Sequence, residues 1–315
     1  MLIAGRKIFA GRATQYLARE ICRHLGESPA RAEIMKFKND NLFVQILENV
    51  REREVFVVQT SCPPVDENLM ETLIMIDALK RASAGRITAV LPYYPYGRSD
   101  KKDQPRVPVT ARLVADLLTT AGANRVITID LHSPQIQGFF NISCDHLTAT
   151  NLFASYMREK GLRAPVAVAT DAGAAKRALS FARILSYPLA IMEKHRLGNT
   201  DTVEMTSFIG DVRGREAIIF EDEISTGSTL LRAAELLRQQ GAAEIYVCAT
   251  HAAFAGDALE RLQRSPIKEV VVTDTIPHSG LPAMITELSV GPLLAEAIRR
   301  VTSGESISSL FEPEQ

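Results

Sequence analysis

Acids, hydroxyls and a glycine stand in a chemically useful order in Glu221-Asp222-Glu223-Ile224-Ser225-Thr226-Gly227-Ser228-Thr229. The apolar run Ala217-Ile218-Ile219-Phe220 before it reads as a buried strand, and Leu230-Leu231-Arg232-Ala233 after it opens a helix. A strand, a turn and a helix N-terminus point backbone N–H groups and the helix dipole at one place, which makes an anion site. The hydroxyls of Ser225, Thr226, Ser228 and Thr229 add donors. Glu221 and Asp222, expected at the strand end, cannot bind phosphate themselves; they suit ribose hydroxyls or Mg²⁺. A plain strand-to-helix turn with a Ser/Thr cap is the ordinary reading of such a loop. Two adjacent acids ahead of S-T-G-S-T shift the reading to a phosphosugar site.

Four other loops at predicted strand ends carry reactive side chains. Pro92-Tyr93-Tyr94-Pro95-Tyr96-Gly97-Arg98-Ser99-Asp100-Lys101-Lys102-Asp103 mixes aromatics with cations, which suits a base stack beside phosphate charge; a solvated charged loop is the rival reading. Asp130-Leu131-His132-Ser133 sets a histidine beside a carboxylate, consistent with a Mg²⁺–phosphate contact, and its spacing is not a zinc pattern. Thr170-Asp171-Ala172-Gly173-Ala174-Ala175-Lys176-Arg177 places an acid after a strand and small residues where a ligand can approach the backbone; Asp171 is also a plausible helix cap. Glu193-Lys194-His195-Arg196-Leu197-Gly198-Asn199-Thr200 puts three basic residues after a strand and reads as a mobile cationic lid or, alternatively, a basic hairpin. Neither G-x-x-x-x-G-K-[ST] nor G-x-G-x-x-G occurs, which disfavours a Walker-type ATPase and a Rossmann dehydrogenase.

The elements that must position these loops follow from pattern. Strands are expected over 1–10, 42–47, 54–60, 86–92, 125–131 and 166–169. Helices are expected over 14–25, 68–84, 109–121 and 290–302, with Gly26 and Gly122 as stops. Phe37–Asn41 reads as a polar turn. Strands alternating with helices give an α/β fold with mostly parallel sheets. Thr110–His132 repeats as Thr229–His251: a helix, Gly-Ala, a strand and a His recur in both. Two similar domains are therefore expected, with the break near Asp145–Asn151. The 315 residues allow two domains, and 46% hydrophobic content with 23% charged residues is globular. A net charge of −1 argues against nucleic-acid binding. The scattered Cys22, Cys62, Cys144 and Cys248 fit a reducing cytoplasm. No signal peptide is recognised, and no apolar run is long enough to span a membrane.

Taken together, D-L-H-S-P-Q-I-Q-G-F-F (130–140), P-Y-Y-P-Y-G-R-S-D-K-K-D (92–103), N-L-M-E-T-L-I-M-I-D-A-L-K-R-A-S-A (68–84), E-D-E-I-S-T-G-S-T and S-V-G-P-L-L-A-E-A-I (289–298) resemble the ribose-phosphate pyrophosphokinases. The resemblance spans nearly the whole chain. It implies two duplicated phosphoribosyltransferase-like (type I) domains: 1–146 on the nucleotide side, with 295–315 able to pack there, and 147–294 binding ribose 5-phosphate. It also implies Mg²⁺ dependence, a homohexamer built from dimers, and transfer of the diphosphoryl group of ATP to O1 of ribose 5-phosphate, leaving AMP.

Position by position, Ser225, Thr226, Gly227, Ser228 and Thr229 match the 5-phosphate loop, and Glu221 and Asp222 the ribose-hydroxyl positions. His132 and Asp171 match Mg²⁺ contacts. Phe37, Asn39, Asn41, Arg98, Ser99 and Asp103 match ATP-binding positions, Phe37 from a neighbouring subunit. Lys194 and Arg196 match catalytic cations. The family usually has Glu at Asn41, Gln at Ser99, Pro at Ser143, Gly at Ala174, and Asp at both Glu221 and Ser225; the segment Thr275–Thr286 is shorter than in many relatives. A non-catalytic regulatory paralogue, or a phosphoribosyltransferase, are the competing readings.

Overall fold

Short runs of β-branched and aliphatic residues alternate with amphipathic helices along the chain, the pattern of strands covered on both faces. The computed structural model describes residues 5–171, 173–196 and 203–310, with backbone only for 193–196 and 203–207. The strands are β1 (Arg6–Ala10), β2 (Ala32–Lys36), β3 (Leu42–Ile46), β4 (Glu54–Val58), β5 (Arg86–Leu91), β6 (Arg125–Ile129) and β7 (Ser143–Leu147). They continue with β8 (Pro165–Ala169), β9 (Leu189–Arg196), β10 (Val203–Ile209), β11 (Glu216–Ile224), β12 (Glu244–Ala252), β13 (Glu269–Thr273) and β14 (Ile285–Leu288). The helices are α1 (Gln15–Leu25), α2 (Val65–Arg81), α3 (Thr110–Ala121), α4 (Thr150–Glu159), α5 (Ala175–Leu185), α6 (Ser228–Gln239), α7 (Ala258–Gln263) and α8 (Gly291–Ser303).

The chain forms two units. The first runs to Thr148 and takes back Thr275–Pro277 and the segment from Ser289; the second holds Ala149–Asp274 and His278–Leu288. The first unit has a parallel sheet in the order β1-β4-β5-β6-β7 and the hairpin β2–β3. Val55, Val57, Ala89, Leu91 and Val126 face a core closed by Met75, Ile76 and Leu79 of α2 and Val114 and Leu118 of α3. α1 packs on β1 and on α8. α8 comes so near α1 that Glu20 fills the space a side chain at Gly291 would need.

The second unit has the order β10-β9-β8-β11-β12-β13-β14, parallel except for β9–β10. Val168, Ile219, Val247 and Val272 pack with Leu230, Ala233 and Leu237 of α6. Phe220 stacks on Phe181 of α5 with ring centroids 4.9 Å apart.

The two units share the plan that the internal repeat predicts: β5–α3–β6 corresponds to β11–α6–β12, each pair flanked alike, as β4-β5-β6-β7 and β8-β11-β12-β13. The helix stops match in detail. Gly122 and Gly241 both have positive φ, and the next N–H donates back to Leu118 O at 3.1 Å in one unit and Leu237 O at 3.0 Å in the other. Positive φ costs a non-glycine residue about 1–2 kcal/mol, which explains the glycine at both stops.

Three elements differ from the sequence reading. β11 runs on through the acids to Ile224, because β12 continues alongside it: Glu221 pairs with Ala249 and Ile224 with Ala252. Pairing with β8 ends at Ile219, so the acids stand where β11 loses one neighbour rather than where the strand ends. α6 starts at Ser228, which brings Ser228 and Thr229 into its first turn. The cationic stretch 193–196 belongs to β9, paired with β10, rather than following a strand; residues 197–200, the rest of the expected lid, lie outside the described residues.

Candidate functional site

In the second unit β11 delivers its acids directly into the hydroxyl-rich turn. Gly227 sits at φ +70°, just before α6, a conformation few side chains tolerate. No side chain caps α6 at this N-cap, and Thr226, Ser228 and Thr229 are exposed. The loop is held from behind. Phe254 N–H donates to Ile224 O at 3.0 Å and Ala255 N–H to Ser225 O at 3.1 Å. Arg261 on α7 donates to Thr226 O at 3.3 Å and to Ser228 Oγ at 3.2 Å, placing a guanidinium beside the turn. Backbone N–H groups, hydroxyls and a cation around one helix start can hold a dianionic phosphate.

The acids are bound up with α5 and the end of β8. Glu221 accepts a hydrogen bond from the Thr170 hydroxyl and one from Arg177 Nη2 at 3.3 Å. The same guanidinium nitrogen lies 3.0 Å from Asp222 Oδ1, and Asp222 is buried. Arg177 Nε is buried and has no acceptor among the described residues. Burial pushes the Glu221 carboxyl above the ordinary carboxylate range; Asp222 and Asp171 push the same way, against Thr170 and Arg177. Asp222 and Asp171 thus both act on Glu221, which shares Arg177 with Asp222. Asp171 Oδ1 accepts the Ala174 N–H at 2.9 Å, so it does brace the start of α5 as a cap would.

A carboxyl with a raised folded-state value holds its proton more tightly folded than unfolded. Its ionisation therefore costs stability as pH rises through that value, and the cost is complete above it. Glu221→Gln removes the charge and keeps an acceptor for Thr170. It is expected to raise the melting temperature of the substrate-free protein by about 2–4 °C near pH 8. The gain should fade toward about pH 4, where an ordinary carboxyl is protonated. Thermal unfolding across that range checks it, and a gain undiminished at the acid end contradicts burial as the cause.

In the first unit the loop after β5 and the loop after β6 meet: a side chain added at Gly97 would reach His132 Cβ at 4.0 Å. Arg98, Asp103 and His132 are exposed. Ser99 is tied to α3: its hydroxyl accepts the Thr110 N–H at 3.3 Å, and its carbonyl the Ala111 N–H at 3.1 Å. Leu131 N–H donates to His146 Nε2 at 2.8 Å, which fixes the backbone next to His132. Phe37, Asn39 and Asn41 form the tip of the β2–β3 hairpin. Phe37 N–H donates to Asn41 O at 2.9 Å, and Asn41 N–H to Asn39 Oδ1 at 3.3 Å. Phe37 is 47% exposed, its ring available to a neighbour. Lys194 and Arg196 lie on the backbone of β9, and their side chains fall outside the described residues.

Sequence reasoning assigned no role to Thr170, Arg177 or Arg261. Thr170 and Arg177 flank the already suspected Asp171; Arg261 lies in a helix with no motif, and only the fold reveals it.

Comparison with known proteins agrees with this architecture. Residues 6–122 match a family model described as the N-terminal domain of ribose phosphate pyrophosphokinase, and residues 199–312 one described as the phosphoribosyl synthetase-associated domain. A ribose-phosphate pyrophosphokinase of Caldanaerobacter subterraneus is 51% identical over 97% of both chains. One from Rhodopirellula baltica is 47% identical over 97% of this chain and 98% of its own. The crystal structure of phosphoribosylpyrophosphate synthetase from Mycobacterium smegmatis superposes with a TM-score of 0.89 at 41% identity, covering 96% of this chain and all of that one. With nearly its whole length accounted for, the chain belongs to the ribose-phosphate pyrophosphokinase family.

Proposed function

We propose that this enzyme moves the diphosphoryl group of ATP to O1 of ribose 5-phosphate. The O1 hydroxyl attacks the β-phosphorus, the bond from that phosphorus to the α-phosphate oxygen breaks, and AMP leaves. The observation that carries the reading is the acid pair Glu221–Asp222 running into the Ser225–Thr229 turn at the start of α6. In this reading the turn holds the 5-phosphate, and the two acids hold the ribose 2- and 3-hydroxyls. Domain 147–294 is thus the ribose 5-phosphate domain. Domain 1–146, with the C-terminal tail, binds ATP through Phe37, Asn39, Asn41, Arg98, Ser99 and Asp103, with Ser99 acting through the start of α3. Lys194 and Arg196 stabilise charge on the transferring group, since phosphoryl chemistry is mainly positioning and electrostatics.

Mg²⁺ fits the donor set. Hard carboxylate oxygens are its preferred protein ligands, and Glu221, Asp222 and Asp171 crowd negative charge that Arg177 offsets only in part. Asp171 and His132 are the residues proposed to contact it, and its chemistry is to neutralise phosphate charge. The exposed apolar side chains of Met70, Leu113, Leu117 and Phe37 support self-association, and the homohexamer built from dimers is what the family resemblance implies. Four free cysteines support a cytoplasmic enzyme. Among the described residues no helix is long and apolar enough to cross a membrane.

The test is purified protein with Mg²⁺, ATP and ribose 5-phosphate, read for AMP; no AMP above background overturns the reading. Thr229→Val keeps the side chain's shape and removes its hydroxyl. It is expected to raise KM for ribose 5-phosphate by about one to two decades, the worth of one charge-assisted hydrogen bond, and to leave KM for ATP unchanged.

A further inference from the structure

We propose that His278 is a positioning residue for the phosphosugar turn, acting through a strained turn behind it. The inference rests on reading 225–229 as the 5-phosphate cradle. Phe254, just past β12, has φ +39°, unusual for a bulky side chain and sustained only where the surroundings impose it. Its N–H donates to Ile224 O, and the next N–H donates to Ser225 O, so the strained residue supports the front of the turn directly. His278, between β13 and β14, holds it there. The imidazole packs on the Phe254 ring with centroids 5.3 Å apart. Its Nε2–H donates to Ala252 O at 2.7 Å, two residues before Phe254, and its Nδ1 lies 3.2 Å from Glu287 Oε1 on β14.

One side chain therefore links the last residue of β12, the strained turn and β14. Ala252 is also the partner of Ile224 in the strand ladder, so both flanks of the turn's entry share this anchor. No phosphate or ribose contact is needed for His278 to act.

The test is His278→Ala in the full-length enzyme, with KM for both substrates and the ribose 5-phosphate dissociation constant from calorimetry. Expected is a rise of about five- to tenfold in KM and dissociation constant for ribose 5-phosphate, with kcat and KM for ATP within about twofold. His278→Gln, which keeps a donor for Ala252 O, should recover part of the loss. If His278→Ala does not fold, the Gln variant carries the same comparison. Unchanged ribose 5-phosphate affinity, or equal rises in KM for both substrates, overturns the proposal. Thr229→Val separates the two ideas: if it weakens ribose 5-phosphate binding and the His278 variants do not, the positioning role alone is wrong. If neither does, the cradle reading fails and takes the positioning role with it.

Discussion

Arg177→Met is expected to destabilise the substrate-free enzyme by about 3 kcal/mol, the low end of what breaking a buried ion pair costs. That corresponds to a melting temperature lower by about 6–12 °C. Arg177 Nη2 reaches both Glu221 and Asp222, so one substitution takes the same cation from two acids. Asp222 is 5% exposed and cannot recover its hydration in place. Methionine nearly matches the arginine stem in bulk, which separates lost charge from lost packing. Arg177→Lys should recover only part, because an ammonium is more strongly hydrated than a guanidinium and costs more to bury beside the acids. Mg²⁺ should then raise the melting temperature of Arg177→Met more than that of the wild type, since the acids are left with greater need of a cation. Calorimetry with and without Mg²⁺ measures both effects. A loss below about 1 kcal/mol, the range of exposed pairs, would show that the bridge is incidental.

The second large effect concerns rate. Lys194→Ala is expected to lower kcat by about two to three orders of magnitude, comparable with removing a transition-state donor elsewhere, and to change KM for either substrate only slightly. A contact that forms mainly as charge builds on the transferring group contributes to kcat and not to ground-state binding. Beyond Ile191 the β9 strand has no β8 partner and continues paired with β10 alone, so Lys194 and Arg196 ride on a two-stranded ribbon projecting past the parallel sheet. A ribbon confines the backbone better than an irregular loop does, which suits a group that must meet charge developing at one place. Steady-state kinetics decides: a variant whose KM rises while kcat holds assigns Lys194 to binding instead.

What was legible in the sequence was what depends on neighbours along the chain. The apolar runs at 54–58 and 125–129 declared themselves as strands. Gly26 marked the end of α1, where it adopts φ +69°. The repeat offset predicted matching helix stops at Gly122 and Gly241, and the structure adds that their hydrogen bonds match too. Elements that owe their form to a partner strand were harder. β7, Ser-Cys-Asp-His-Leu, has no apolar alternation and is a strand because β6 pairs with it. The acids of β11 look like loop residues until β12 is seen extending beside them. The bridging role of Arg177 needs α5 laid against β11, a tertiary fact that no local pattern encodes.

The packing of α1 against α8 has a consequence for biosynthesis. α1 ends at Leu25, and α8 begins at Gly291. At ordinary rates of translation, tens of seconds separate their emergence from the ribosome. Throughout that interval the first unit has its parallel sheet but lacks α8, the helix that packs on α1 beside Glu20. The nascent first unit therefore waits for its last helix, whose Leu294, Ile298 and Val301 are buried in the finished fold, until the end of synthesis. A chaperone acting on this protein during synthesis would find its binding surface where α8 is to pack, and release would coincide with the arrival of α8.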